Sequence, residues 1–237
     1  MPRGMLFSQM NPPPALEREF NAWYDEEHVP LRLAVDGFEG AARYRGHAED
    51  PNRHQLPGYA AAYWLRDLSV LDGEPYRRIK NEPSERTRRM LKSVTGFTRF
   101  ACVELCRRVR PHAPPLETAP VLYTVWFGVP AHAAAEVEAW YREEHIPLLM
   151  EEPLWRAAVS YRIVHGEPAH LTHLTLHHLE SAEALNSPVR PRARGTAWRQ
   201  RLAQEPWFKG LYILYGRIDA QHGRSTARSA AGAAETG

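Results

Sequence analysis

Apolar and polar positions along the chain follow one pattern twice. A short apolar run, at 5–10 and again at 121–127, leads into prolines, which stop a strand. Each run is followed by a segment whose apolar residues recur with a 3.6-residue period, which predicts an amphipathic helix. Two further apolar runs in each copy predict strands. These strands are 41–45 and 59–66 in the first copy, and 157–164 and 171–179 in the second.

A second helix and a last strand complete each copy. The helix is predicted over 69–92 and 182–204, interrupted by Pro83 and by Pro188. The last strand is predicted over 97–107 and 208–218. The order β-α-β-β-α-β is that of the split βαβ, or ferredoxin-like, unit.

A nine-residue motif supports the duplication. The segment WYDEEHVPL at 23–31 recurs 117 residues later as WYREEHIPL at 140–148. The offset shrinks farther on, so the second copy has a shorter middle loop than the loop at 47–57. Pro30 and Pro147 are predicted to end or kink the first helix of each copy next to its histidine.

The two copies are predicted to shield each other. The predicted domains are residues 1–110, a proline-rich linker at 111–120, residues 121–220, and a disordered tail at 221–237. Each unit has helices on one sheet face only, so the other face must be covered. On the strand at 171–179, His173, Thr175 and His177 alternate with leucines, and we expect this polar set to line the inside of a barrel. The predicted fold is α+β, with two tandem ferredoxin-like (βαββαβ) units forming an internal pseudo-dimeric α+β barrel.

Composition narrows the functional classes. The 237 residues are 43% hydrophobic and 24% charged, with a net charge of +2, and they show no dense basic stripe for nucleic acid. No apolar run is long enough to span a membrane, and no signal peptide is visible. Cys102 and Cys106 are too far apart on one strand to bridge. We therefore expect a cytoplasmic protein without nucleic-acid or membrane partners.

The repeated motif also supports a family resemblance. The first-helix motif at 23–31 and the strand motif AARYR at 41–45 resemble the EthD-like branch of the dimeric α+β barrel superfamily, once per copy. The resemblance implies that the first-helix histidine and the second-strand tyrosine line a cavity. The matching candidate catalytic residues are His28 with Tyr44, and His145 with Tyr161. The second copy has Ser160 in place of Arg43 and Leu154 in place of Gly37, so the two cavities are predicted to differ.

The residue types of these candidates suit proton transfer. A histidine near a helix C-terminus is favoured in its protonated form and titrates near neutral pH. A tyrosine hydroxyl can donate to a developing enolate. Arg43 could hold a carboxylate if it faces inward, although strand alternation puts either Tyr44 or Arg43 inward, not both. The alternative is that His28 only caps its helix and that the tyrosines only fill the core.

Other candidates would line the cavity. Trp64, Trp126 and Tyr212 could supply aromatic walls for a flat ligand, and His173 could be lining or a second acid/base. No metal site is predicted, because His173 and His177 would lie ~13 Å apart along a strand.

These observations predict a cofactor-independent isomerase or cyclase. Its substrate would be a small aromatic-derived or polyketide-derived acid, as in the catabolism of aromatic compounds. One alternative is a haem-dependent barrel enzyme with His173 or His145 as axial ligand. Another is a non-catalytic small-molecule-binding or accessory protein. Homodimerisation is left open.

Overall fold

Eight antiparallel strands close into a barrel. The computed structural model describes residues 1–50 and 57–218. The strand order around the barrel is β1-β3-β2-β8-β5-β7-β6-β4, and β4 pairs with β1. The predicted α+β class and the closed barrel are thus confirmed. The strands are β1 (Gly4–Asn11), β2 (Phe38–Gly46), β3 (Tyr59–Leu65), β4 (Thr95–Val109), β5 (Val121–Phe127), β6 (Trp155–Glu167), β7 (His173–Leu179) and β8 (Leu211–Ile218).

The two halves of the chain contribute equivalent sets of four strands. The first half (4–109) has the order β4-β1-β3-β2, and the second half (121–218) has β8-β5-β7-β6. Ten residue pairs join the halves along β4–β6, and four pairs join them along β2–β8. Closure leaves no exposed strand edge within the described part of the barrel, because every strand has two neighbours.

The helices cover the outside of the barrel, in one layer per half. Each layer packs on the outward-facing side chains of its own strands, and these form two separate apolar clusters. The helices are α1 (Glu17–Trp23), α2 (Val29–Leu33), α3 (Glu74–Asn81), α4 (Glu85–Ser93), α5 (Ala134–Trp140), α6 (Ile146–Leu149), α7 (Val189–Arg194) and α8 (Ala197–Leu202).

A π turn joins the first two helices of each half. It spans Tyr24–His28 in the first half and Tyr141–His145 in the second. Proline lacks the N–H of a regular helix and its ring clashes with the carbonyl four residues earlier, so the helix widens before Pro30 and Pro147. Of the two predicted outcomes, that these prolines end or kink the helix, the first does not occur, since the helix continues after the π turn to Leu33 and Leu149.

The second helical segment also differs in detail from the prediction. Pro83 separates α3 from α4 as expected. Pro188 likewise lies between two helical segments, a 3₁₀ helix (Ala182–Asn186) and α7, and a further break comes at Gly195 and Thr196. A proline is tolerated at a helix start because the N–H there needs no helical partner.

The barrel interior is mainly apolar, and the predicted polar set of His173, Thr175 and His177 does not line it. One cluster takes buried side chains from all eight strands, including Leu174 and Leu176 of β7. His173, Thr175 and His177 alternate with these leucines and so face the helix layer outside the barrel. His173 contacts Glu138 of α5, and His177 packs against Trp155.

The predicted linker at 111–120 packs against the barrel. Leu116 of the predicted linker joins the interior cluster. The Arg156 guanidinium donates to the Pro115 carbonyl at 3.2 Å and to Thr118 Oγ1 at 2.8 Å, which fixes the linker against β6. The predicted tail at 221–237 and most of the predicted long loop, at 51–56, lie outside the described residues.

Candidate functional site

A cavity of about 440 Å³ lies between the sheet and the helices of the second half. Its floor is the outer face of β5 and its neighbours β7 and β8, and its roof is formed by the π turn, α7 and α8. This volume is in the range of small-molecule sites. The aromatic and histidine lining residues are Tyr123, Phe127, Trp140, Tyr141, His145, Trp155, His177, Phe208 and Tyr212.

The same space in the first half is packed with aromatic side chains. Leu6 of β1 is equivalent to Tyr123 of β5, since the two are separated by the repeat offset of 117 residues. Leu6 pairs with Tyr63 and Tyr123 pairs with His177, so Tyr63 occupies the position of His177. Phe38 lies 6.0 Å from Tyr63 and 5.6 Å from Tyr76, measured between ring centroids. The two halves thus differ in the space between sheet and helices, which is filled with aromatic rings in the first half and holds a cavity in the second.

His145 is held rigidly at the cavity wall. Its ring stacks on Trp140 at 4.4 Å between centroids and meets Tyr141 edge-on. Nδ1 lies 3.3 Å from the Ala193 carbonyl oxygen. Since a carbonyl oxygen only accepts, Nδ1 carries the proton, and in the neutral ring Nε2 keeps a free lone pair.

The protonation state of His145 differs from the prediction. Burial and then the nearby charges of Arg199 and Arg194 lower the pKa of His145 to about 4. The predicted effect of a helix C-terminus does not operate, since the helix continues past the histidine. His145 is therefore a neutral base at pH 7.

His177 is a second histidine in the cavity, and it was not among the predicted site residues. The Trp155 indole N–H donates to its Nδ1 at 3.1 Å, and its ring lies 5.7 Å from that of Tyr123. Burial, followed by the charges of neighbouring groups that include His145, lowers the pKa of His177 well below 6.5. Both histidines are thus neutral at physiological pH.

Three arginines of the helix layer also line the cavity. Arg190 donates to the Tyr123 hydroxyl at 3.3 Å and to the Leu185 carbonyl at 3.1 Å. Arg199 lies over the Phe208 ring at 5.4 Å. Neither these two nor Arg194 forms an ion pair with a described carboxylate, whereas Arg192 pairs with Glu151 and Arg201 with Glu136.

A turn from the first half reaches the rim of the same cavity. The Leu214 N–H donates to Asp50 Oδ2 at 2.8 Å, and the His47 N–H donates to the Leu214 carbonyl at 2.9 Å. These bonds dock the turn on β8 and bring Glu49 and Asp50 to the cavity lining.

The structure brings only two of the predicted site residues, His145 and Tyr212, to this cavity. Tyr44, Tyr161, Trp64 and Trp126 all belong to the apolar cluster inside the barrel. The sheet therefore separates His28 from Tyr44 and His145 from Tyr161, and the expected histidine–tyrosine pairs are not formed.

His28 and Arg43 lie between the sheet and the helices of the first half. Arg43 bonds to Asp25 Oδ1 at 2.6 Å and to Asn21 Oδ1 at 2.5 Å, so its charge already has a partner. His28 is 6% exposed and packs 4.3 Å from Trp23 and 4.7 Å from Tyr24, between ring centroids. Burial lowers the pKa of His28 well below 6.5.

His173 belongs to a polar cluster outside the cavity. Its Nε2 lies 3.2 Å from Glu138 Oε1, and Arg162 donates to the same carboxylate. Burial lowers the pKa of His173, and the Glu138 carboxylate opposes that shift. We find no group of three or more potential metal-binding side chains in residues 1–50 and 57–218. Within those ranges, no helix has the length and apolar character needed to cross a membrane.

Sequence reasoning missed the arginines and the acidic rim. The spacing of Arg190 and Arg194 by four residues on a predicted helix was an available signal, because it places both on one face. Glu49 and Asp50 left no such signal, since only tertiary folding brings this turn to β8.

Comparison with known proteins identifies the fold. A family model described as a domain of unknown function (DUF4286) matches residues 120–203. The chain is similar to the crystal structure of an anthrone oxidase-like protein, with 13% identity, coverage of 92% of both chains and a TM-score of 0.62. The comparison with curated proteins finds no match.

Two further solved structures are similar. A candidate monooxygenase from Lactobacillus acidophilus has 9% identity, with coverage of 92% of this chain and 94% of that chain, and a TM-score of 0.60. A variant of chlorite dismutase from Candidatus Nitrospira defluvii has 12% identity, coverage of 92% of both chains and a TM-score of 0.57. At these identities the likeness concerns the fold alone.

Proposed function

We propose that the chain is an EthD-like enzyme built of two tandem ferredoxin-like units, with its active site in the second half. The strand order 4-1-3-2, repeated in each half, supports the tandem units. The repeated first-helix motif supports the EthD-like assignment. The substrate is a small planar acid derived from aromatic or polyketide metabolism, and the reaction is an isomerisation or cyclisation by proton transfer.

The observation that carries this proposal is the state of His145. The ring is neutral, its Nδ1–H is engaged by the Ala193 carbonyl, and Nε2 keeps its lone pair at the wall of an aromatic cavity. A fixed neutral imidazole of this kind is suited to accept a proton from a carbon next to a carbonyl group. The imidazolium then returns the proton to another carbon of the same substrate, which balances an isomerisation.

Tyr123 takes the role that the sequence suggested for Tyr44 and Tyr161. Its hydroxyl accepts from Arg190 at 3.3 Å, so its own proton is left to donate into the cavity. Burial raises the pKa of Tyr123, which keeps the hydroxyl protonated at neutral pH. Such a donor stabilises the oxyanion that forms as the carbon loses its proton.

Tautomerisation of phenylpyruvate, followed by ultraviolet absorbance, tests this chemistry. The wild-type protein should accelerate conversion of the keto to the enol form, which removes a proton from the carbon next to the carbonyl group and places one on the carbonyl oxygen. His145→Gln should lower kcat by about 100-fold or more, as expected for loss of a general base. His28→Gln is the matched control in the first half and should leave the rate unchanged. Equal rates in wild type and His145→Gln would contradict the proposal and favour a non-catalytic binding protein.

Haem binding is a second candidate, favoured by the same histidine. A neutral imidazole that donates Nδ1–H to a backbone carbonyl is a suitable axial ligand, and the unpaired arginines could bind propionates. The residues therefore fit the group, which when bound would supply redox chemistry. Titration with haemin should give a visible absorption band that His145→Ala removes. A titration without such a shift would exclude this candidate.

A further inference from the structure

The two halves differ at one position beside the tryptophan that the motif repeats, Trp23 in the first half and Trp140 in the second. In the first half, the Trp23 indole N–H donates to Thr87 Oγ1 at 2.9 Å. Thr87 is the third residue after the N-cap Ser84, and Arg199 is the third residue after the equivalent N-cap Thr196. Arginine has no acceptor atom, so the second half lacks the acceptor that the first half provides.

Trp140 is consequently left with an unpaired N–H. Its side chain is only 2% exposed, and its Nε1 has no hydrogen-bond partner among the described residues. A buried donor without a partner destabilises the folded protein. Trp140 lines the cavity, and the matching bond of Trp23 indicates that its N–H is directed toward the position of Arg199.

The arginines that line the cavity lack ion-pair partners in the described part of the chain. Arg190, Arg194 and Arg199 line the cavity without an ion pair to any described carboxylate, although their helix neighbours Arg192 and Arg201 are paired. Like charges four residues apart on one helix destabilise it, which makes the pair Arg190 and Arg194 unfavourable without an anion. An unpaired donor and three arginines without an ion pair therefore line one cavity, with Glu49 and Asp50 at its rim.

We propose that Arg190, Arg194, Arg199 and the Trp140 N–H form a subsite for the carboxylate of an aromatic acid. A carboxylate accepts from a guanidinium through two oxygens and still has lone pairs for an indole N–H. The rings of Tyr123, Phe127 and Tyr212 provide apolar walls for the rest of the molecule. The proposal deepens the proposed function and rests on it for the location of the site, and it replaces Arg43 as the expected carboxylate ligand.

Paired probes with and without the charge test the subsite. Binding of 2-naphthoate and of the neutral 2-naphthamide is measured by quenching of tryptophan fluorescence and confirmed by calorimetry. The wild-type protein should bind the carboxylate about tenfold or more tightly than the amide. Arg199→Gln and Arg190→Gln should each weaken naphthoate binding by about tenfold or more, as expected for a charged hydrogen bond, and leave naphthamide binding unchanged. Trp140→Phe should weaken naphthoate binding by about threefold to tenfold.

The controls use arginines on the same two helices. Arg192→Gln and Arg201→Gln remove charges that are paired outside the cavity and should leave naphthoate binding unchanged. Thermal melting followed by circular dichroism establishes that each variant is folded before it is compared. Equal binding of the two probes by the wild type, no binding of either, or equal losses in control and subsite variants would overturn the subsite.

His145→Gln separates this proposal from the proposed function. This variant should lose tautomerase activity but retain the preference for naphthoate. A retained preference in a wild-type protein without turnover would leave the subsite standing and reject the proton-transfer reaction. If turnover depended on His145 but the protein showed no preference for the carboxylate, the proton-transfer reaction would stand and the subsite would be rejected.

Discussion

Two consecutive residues of β2, Arg43 and Tyr44, lie on opposite faces of the sheet. Tyr44 points into the barrel interior, while Arg43 points to the helix layer and bonds to Asp25 and Asn21. Alternation along the strand predicted that the two would lie on opposite faces. It could not say which face is the interior, because both faces of this sheet are covered.

Tyr44 provides a prediction at this scale. Its hydroxyl is buried without a hydrogen-bond partner among the described residues, and burial raises its pKa. We expect Tyr44→Phe to keep full tautomerase activity and to increase the free energy of unfolding, by up to about 1 kcal/mol, because it removes an unsatisfied polar group. Urea unfolding measures this change.

Tyr215 is the matched control for that prediction. Its hydroxyl also lies inside the barrel but accepts from Gln9 Nε2 at 2.7 Å. Tyr215→Phe should therefore lower the free energy of unfolding by about 1 kcal/mol. If Tyr44→Phe lowered stability as much as Tyr215→Phe, or reduced activity, the interior hydroxyl would have a partner or a role that we do not assign to it.

Among the elements, the π turn positions the histidine. In each half, the N–H of the residue after the histidine bonds to the carbonyl five residues earlier, from Val29 to Tyr24 and from Ile146 to Tyr141. The wider turn is coupled to the proline that follows. The same sequence motif thus gives the same backbone twice, and only the second copy opens onto the cavity of about 440 Å³.

The second glutamate of the repeated motif, Glu27 or Glu144, bonds to the start of the last helix of its half, α4 or α8. Glu144 accepts from the N-cap hydroxyl of Thr196 at 2.6 Å, and Glu27 accepts from Thr87 at 2.7 Å and from the N-cap Ser84. Thr196 in turn accepts from the N–H of Arg199 at 3.3 Å. The motif therefore positions both His145 and the helix that carries Arg199.

This contact yields a prediction with a built-in control. Thr196→Ala should lower stability by about 1 kcal/mol through loss of the cap, and it should also weaken naphthoate binding because α8 is no longer fixed. Ser84→Ala removes the equivalent cap in the first half. It should cost a similar amount of stability without affecting naphthoate. Equal effects of both variants on binding would show that α8 acts through general stability only.

At the scale of the whole molecule, the barrel and its helix layers bury several histidines. Burial is the first cause of a lowered pKa at five of them, to about 4 for His145 and to about 3 for His178. These five are His28, His145, His173, His177 and His178. The unfolded chain would protonate all five near pH 6.5.

Acid stability is the prediction that follows. Between pH 6.5 and about 4 the unfolded state binds more protons than the folded state, so the free energy of unfolding falls as the pH falls. Each histidine that titrates only when unfolded contributes a slope of up to about 1.4 kcal/mol per pH unit. Urea unfolding at pH 7.5, 6.5, 5.5 and 4.5 measures the slope.

A single substitution makes the acid prediction specific. His178→Leu removes one of the five groups from the barrel interior and should reduce that slope by about 1 kcal/mol per pH unit. A flat stability profile between pH 6.5 and 4.5 would contradict the burial of these histidines.

The duplication, the order of elements and the closed barrel were predictable from the sequence. The motif at 23–31 and 140–148 repeats, and apolar runs of strand length recur with it. Local periodicity determines the elements and their order, because each element depends on neighbours along the chain. The barrel was predicted from the duplication, because each unit has one sheet face that must be covered. The sequence also predicted that the two halves would differ.

Tertiary structure alone decided which face of the sheet is inside and where the cavity lies. His173, Thr175 and His177 resemble a barrel lining by alternation, yet Leu174 and Leu176 fill the interior. Both faces of β7 are buried, so the alternation along this strand separates the two faces without identifying the inner one. The subsite of Arg190, Arg194, Arg199 and Trp140 joins three helices, and such a meeting of distant residues is fixed only when the helices pack on the sheet.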